Sequence, residues 1–100
     1  MMERQVILPI TVRYDIDEIA DYIIGLNTRE HAVQYVRELL AEISELSFLA
    51  DTLPVSTSPF ILQYHKNAIK HGVWCVIFHV ENNYVIIDKI LPSKLVLLPI

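Results

Sequence analysis

Glycine is almost missing from this 100-residue chain, with only Gly25 and Gly72 present. No glycine-rich loop can bring several backbone N–H groups against a phosphate, which argues against nucleotide hydrolysis and dinucleotide redox chemistry. Cysteine is represented by Cys75 alone. That excludes an internal disulfide and a Cys-x-x-Cys metal site, and it fits a reducing cytoplasm. His-Glu-x-x-His and Gly-x-Ser-x-Gly patterns are absent as well, so no metal or other cofactor is expected. The longest apolar runs, Val73 to Phe78 and Leu95 to Ile100, reach six residues and are too short to span a bilayer. The opening Met1-Met2-Glu3-Arg4 lacks the layout of a signal peptide. Arginine stops at Arg37.

What remains is strongly apolar. Hydrophobic residues make up 53 % of the chain and mean hydropathy is +0.38, which excludes disorder. A chain of this length buries about two-thirds of its unfolded surface and folds around one core. A single domain over residues 1–100 is expected. Its net charge of −4 hides a division. Residues 15–51 hold nine acids (Asp15, Asp17, Glu18, Asp21, Glu30, Glu38, Glu42, Glu45, Asp51) against Arg29 and Arg37, a net of −7. Residues 52–100 hold Lys66, Lys70, Lys89 and Lys94 against Glu81 and Asp88, a net of +2. The acidic half and the mildly basic half are different surfaces.

Periodicity supplies the elements. Gln5 to Leu8, β-branched and stopped by Pro9, reads as a strand. Val12, Ile16, Ile19, Ala20 and Ile23 repeat at helical spacing. Thr11 or Asp15 is expected to cap that helix, with the earlier start preferred, and Gly25 and Asn27 to end it. Thr28 should cap a second helix whose buried stripe is Ala32, Val36, Leu39, Leu40, Ile43, Leu46 and Ala50. The short connection forces an antiparallel helical hairpin. After a proline-bounded loop at Leu53–Pro59, strands are expected at Phe60–His65, Val73–Val80 and Tyr84–Leu91. Their turns fall near Asn67–Gly72 and at Glu81-Asn82-Asn83. The result is an α+β fold, β-α-α-β-β-β, with the hairpin on one face of an antiparallel sheet. The apolar run at Val73–Phe78 marks a central strand covered on both faces, the second by a partner.

Few side chains suggest chemistry. His65, His71 and His79 fall on or beside neighbouring strands, and converging imidazoles relay protons or hold metals. The competing reading is plain polar positions on a half-exposed sheet, since no ligand spacing accompanies them. His31 lies in the first turn of the long helix, where a solvated role is expected. Cys75 among Val, Trp, Ile and Phe reads as a small hydrophobe. Trp74 faces the opposite side of its strand, as core or as an anchor for a partner. The acids Asp15, Asp17, Glu18 and Asp21 read as solubilising charge before a cation site. Lys66 and Lys70 make the one locally basic stretch, which phosphate would prefer.

The order of elements and several short patterns resemble the RelE/ParE superfamily of toxins from toxin–antitoxin systems, closer to the ParE-like branch. Val6-Ile7-Leu8 followed by Val12-x-x-Asp15-Ile16-x-x-Ile19-x-x-Tyr22-Ile23 is similar to the family's first strand and its "A-x-x-D-L-x-x-I-x-x-Y-I" helix. Ile43-x-x-Leu46 with Leu53-Pro54 resembles its "I-x-x-L…P-x-x-G" passage without the glycine. Val76 to Val80 and Val85 to Leu91 resemble the "Y-x-I-x-Y" and "V-x-I-x-R-I-L-H" strands. Lys89 stands where arginine is common, Pro92 where histidine is, and His79 where tyrosine is.

The resemblance implies a cytoplasmic toxin of the plasmid-stabilisation type, neutralised by a cognate antitoxin protein whose segment is expected to lie across the hydrophobic sheet or the helical hairpin. DNA gyrase is the target associated with the ParE branch. The alternatives are a ribosome-dependent mRNA interferase and a non-toxic relative. His65, Lys66, His71, His79 and Lys89 are the catalytic candidates for the interferase, although lysine supplies a point charge and no bidentate clamp on phosphate. Partner contact is expected at Trp74 and along Lys94, Leu95, Val96, Leu97 and Leu98, whose apolar side chains need a core or a partner. Without a partner the chain is expected to form a homodimer.

Overall fold

The computed structural model describes residues 3–50 and 67–93; of Asn67, Lys70 and His71 only the backbone is described. The element order is β1 (Gln5–Ile7), α1 (Ile10–Leu26), α2 (Arg29–Leu49), β2 (Asn67–His71), β3 (Trp74–Glu81) and β4 (Tyr84–Pro92). The strands form one sheet in the order β1-β4-β3-β2. β2, β3 and β4 make an antiparallel meander, of which the β3–β4 hairpin is the expected one. β1 joins parallel to β4, pairing Gln5 with Tyr84 and Ile7 with Ile86, so the sheet is mixed.

Helix α1 starts without the side-chain cap read from the sequence. Pro9 occupies the capping position with φ −60° and ψ 156°. Its carbonyl accepts from the N–H groups of Val12 (3.0 Å) and Arg13 (3.1 Å). The proline ring pre-sets the entry angle. Thr11 and Asp15 are both already inside the helix, and Asp15 has another task. Gly25 lies in the last turn, and Asn27 donates its N–H to the Ile23 carbonyl at 2.8 Å. Thr28 does cap α2, its hydroxyl accepting from the His31 N–H at 3.2 Å.

One core joins both helices to one face of the sheet. Val12, Ile16 and Ile19 of α1 and Leu39, Ile43 and Leu46 of α2 pack on Val76 and Phe78 of β3 and Val85, Ile87 and Ile90 of β4. Leu40, expected in the buried stripe, is 39 % exposed. It lies next to Leu39 and Ile43 on the helix but turned toward solvent, where it helps form the groove described below.

The strand boundaries differ from the sequence reading in an informative way. Asn67–His71, expected as a turn, is a full strand paired with β3. The turn is only Gly72-Val73, between the paired residues His71 and Trp74. Gly72 has φ +60°, and a Cβ there would sit 2.8 Å from the Tyr35 hydroxyl. Both the backbone and the close approach of Tyr35 therefore select glycine. The second hairpin turns on Asn82-Asn83, with Asn82 at φ 54°, a conformation asparagine tolerates. The expected strand Phe60–His65 and the loop Leu53–Pro59 lie outside the described residues.

A bulge sets the faces of β4. Ile77 is paired with Lys89 but Phe78 with Ile87, leaving Asp88 as the extra residue. The slip lets Val85, Ile87 and Ile90 all reach the helix side, which strict alternation would deny to Ile90. On the other face of β3, Cys75 and Ile77 are buried with Ala68 and Leu91 packed against them. At these two positions burial is already complete in the single chain, so no partner is required to cover them.

Candidate functional site: two unlike faces

Candidate chemistry on the sheet gathers around the bulge. With Asp88 displaced from the pairing, its carboxylate reaches the His79 Nδ1 at 2.8 Å. The His79 Nε2 lies 3.5 Å from Glu81. The imidazole is thus fixed by one carboxylate and approached by a second, an arrangement that orients a ring to exchange a proton. It also places two negative charges where an RNA phosphate would have to dock, and like charges repel.

The next residue, Lys89, reaches helix α1 instead. Its Nζ meets Asp15 Oδ1 of α1 at 2.9 Å. The second oxygen of Asp15 accepts from the Ile90 N–H at 3.5 Å. β1 pairs with β4 only as far as Ile86, so beyond it no strand among the described residues lies along that edge of β4. Asp15 supplies an acceptor there, and its side chain is only 12 % exposed. The acid of the helix pattern and the cation of the strand pattern, 74 residues apart, are contact partners. Lys89 is committed to holding α1 on the sheet.

The other candidates are scattered. Trp74 is partly buried against the core and meets Tyr22 edge to face, with ring centroids 6.3 Å apart at 87°. His71 and Lys70 belong to β2 by backbone, paired with Trp74 and Cys75. His65, Lys66, Lys94, Leu95, Val96, Leu97 and Leu98 lie outside the described residues. Among the described residues, His79 has the acids Asp88 and Glu81 for neighbours. Among the described residues no group of three or more His, Cys, Asp or Glu is placed to hold a metal ion. No helix among them is long and apolar enough to cross a membrane.

The second face is the helical hairpin, one of the two surfaces expected to take an antitoxin segment, although the residues that line it were not singled out. A groove of about 360 Å³ runs between the helices on the side away from the sheet, lined by Ala20 and Ile24 of α1 and by Arg29, Ala32, Val33, Val36, Arg37 and Leu40 of α2. Its walls are apolar and open: Ile24 is 41 % and Val33 50 % exposed. The arginines stand at its rim, and among the described residues neither has an ion-pair partner. The available signal was a second apolar stripe, Val33, Val36 and Leu40, displaced from the core stripe by part of a turn. Asp88 was likewise overlooked as the partner of His79; the polar pair Asp88-Lys89 interrupting an apolar strand marks the bulge.

No family model matches this sequence, and no curated protein matches it. Among solved structures, a chain described as "Chromosomal ParDE TA system from P. aeruginosa" matches with a TM-score of 0.69 at 19 % sequence identity. The match covers 92 % of this chain and 96 % of that one. The β-α-α-β-β-β architecture with its helical hairpin on a four-stranded sheet is therefore a ParE-like fold shared nearly end to end with a chain of that system.

Proposed function

We propose that this chain is the toxin component of a toxin–antitoxin pair, a single cytoplasmic domain that acts by binding a cellular protein and is neutralised by a cognate antitoxin. The observation that carries the reading is the fold shared over nearly the whole of both chains with a ParDE system. DNA gyrase is the target that the ParE-like resemblance suggests.

The charged groups support binding over cleavage. An RNA-cutting centre needs free cations for the phosphate and little negative charge where that phosphate docks. Here Lys89 is held by Asp15 and His79 is flanked by Asp88 and Glu81. The hairpin groove offers what a protein partner uses instead: apolar walls for the nonpolar side of an amphipathic segment, and Arg29 and Arg37 for its carboxylates. An acidic, amphipathic antitoxin segment is the occupant that fits. The apolar run Leu95 to Leu98 after Lys94 in the sequence is the second stretch expected to meet the same partner.

Expression of the chain alone is expected to arrest growth, and co-expression of the small protein from the neighbouring reading frame to relieve it and to co-purify with the chain. Normal growth without that protein, together with failure to bind it, would leave only a non-toxic relative. Intact ribosome-bound message in the arrested cells separates binding from an interferase.

A further inference from the structure

We infer that the free chain closes the hairpin groove with a second copy of itself, in a two-fold arrangement that sets α1 of each copy against α2 of the other. The inference rests on the groove being the partner-binding face and adds how that face is occupied when the partner is absent.

Self-complementarity of charge is the first argument. The α2 wall of the groove ends in Arg29 and Arg37. On α1, Asp17 and Asp21 lie one helical step outward from the lining residues Ala20 and Ile24, by i, i+3 spacing. All four charged residues are exposed. By the same spacing the exposed Glu30 lies outward of Val33 on α2, so the α2 rim is basic on balance, with Arg37 clear of that acid toward Leu40, and the α1 rim is acidic. A two-fold axis parallel to the helices lays each acidic rim over a basic one.

Height along the hairpin is the second argument. Counted from the tip at Asn27, Asp17 is ten residues back along α1 and Arg37 ten residues forward along α2. At ~1.5 Å per residue both lie about 15 Å from the tip. An axis parallel to the helices preserves that height, so Arg37 of one copy arrives beside Asp17 and Asp21 of the other. Both such contacts form at once, and the exposed Ile24, Val33 and Leu40 close over one another between them. The alternative two-fold, perpendicular to the helices, opposes acid to acid and is disfavoured.

Area sets the strength. A hairpin about 25 Å long and two helices wide offers on the order of 500 Å² per copy, near the lower limit for specific association. The dimer is therefore weak and concentration-dependent, and a longer partner segment displaces it. This suits a surface that must be released when the antitoxin arrives.

Sedimentation tests the inference through charge exchange. The wild-type chain should show a monomer–dimer equilibrium at high micromolar concentration, weakened by salt. Arg37→Glu alone opposes three acids at each contact, and Asp17→Arg with Asp21→Arg opposes three cations. Each variant should be monomeric by itself while melting like the wild type. An equimolar mixture of the two should restore a dimer containing one of each, because every contact is then between opposite charges. Monomeric wild type at all concentrations overturns the inference, as does a dimer that survives in either variant. Both results leave antitoxin binding untouched. Conversely, a dimer that obeys the exchange in a chain that never binds its neighbour's product would keep the inference and remove the partner reading.

Discussion

The two faces of this molecule use charge in opposite ways. Around the sheet, the described charged side chains of the bulge pair within the chain: Asp15 holds Lys89, and Asp88 with Glu81 brackets His79. Along the helical groove, Arg29 and Arg37 stand beside open apolar walls with no ion-pair partner among the described residues. Paired charge next to a bulge is architecture; unpaired charge next to exposed valine and leucine is a surface waiting for something complementary. The comparison moves the functional emphasis from the sheet to the hairpin.

The strongest way to break it is to put a charge into the groove. Val33→Glu adds a carboxylate to an exposed wall position. We expect binding of the antitoxin to weaken by about 100-fold or more, since placing an unpaired charge in a closed interface costs several kcal/mol. The melting temperature should barely move, because Val33 is half exposed. Titration calorimetry with a melt of the same sample separates the two quantities; equal loss of both would mean the groove is ordinary surface.

The sheet side should behave in reverse. Asp15→Ala strips the acceptor from Lys89 and from the Ile90 N–H, at a cost of about 1–3 kcal/mol, and antitoxin affinity should hold. Lys89→Ala should cost less than about 1 kcal/mol, because the ammonium is half exposed and solvent screens the pair. Urea unfolding of both variants gives the ranking, and a larger loss for Lys89→Ala would contradict the roles assigned to the pair. Between these lies Gly72→Ala, which forces an alanine to φ +60° and against the Tyr35 hydroxyl. A loss of roughly 1–2 kcal/mol is expected.

How much of this could be read from the residues follows from what each pattern encodes. Helical stripes are local and repetitive, so Val12, Ile16 and Ile19, and Leu39, Ile43 and Leu46, were legible as core. The Thr28 cap was legible for the same reason, since one hydroxyl and one N–H three residues on define it. Strand limits were not: Asn67–His71 looks like turn because it is polar and short, and only pairing with β3 makes it a strand. Asp15 offers a local reading as a cap and a distant one as the partner of Lys89. The distant one wins because Pro9 already organises the helix start while the edge of β4 needs an acceptor. The hairpin was legible as a partner surface but its groove was not, because the groove's stripe overlaps the expected core stripe at Val36 and Leu40, and sequence alone does not say which leucine faces in.

The smallest expected effect concerns pH. Burial, with the charges of Glu42 and Glu38 adding to it, raises the Tyr35 pKa above its ordinary value of 10.0. The unfolded chain therefore loses this proton first, and the folded state retains it. Stability should be unaffected by Tyr35 below about pH 10 and should fall as pH rises beyond that value through the raised one. Chemical denaturation across alkaline pH should show a shallower fall in Tyr35→Phe; an identical slope would mean that the hydroxyl is as accessible as the rest.

The most direct test of the central claim is the affinity of the chain for the product of its neighbouring reading frame, measured in parallel for wild type, Val33→Glu and His79→Ala. The account predicts tight binding by wild type and His79→Ala, with growth arrest intact in His79→Ala, and loss of binding in Val33→Glu. Unchanged binding by Val33→Glu, with binding or toxicity lost in His79→Ala, would contradict it and return the function to the sheet.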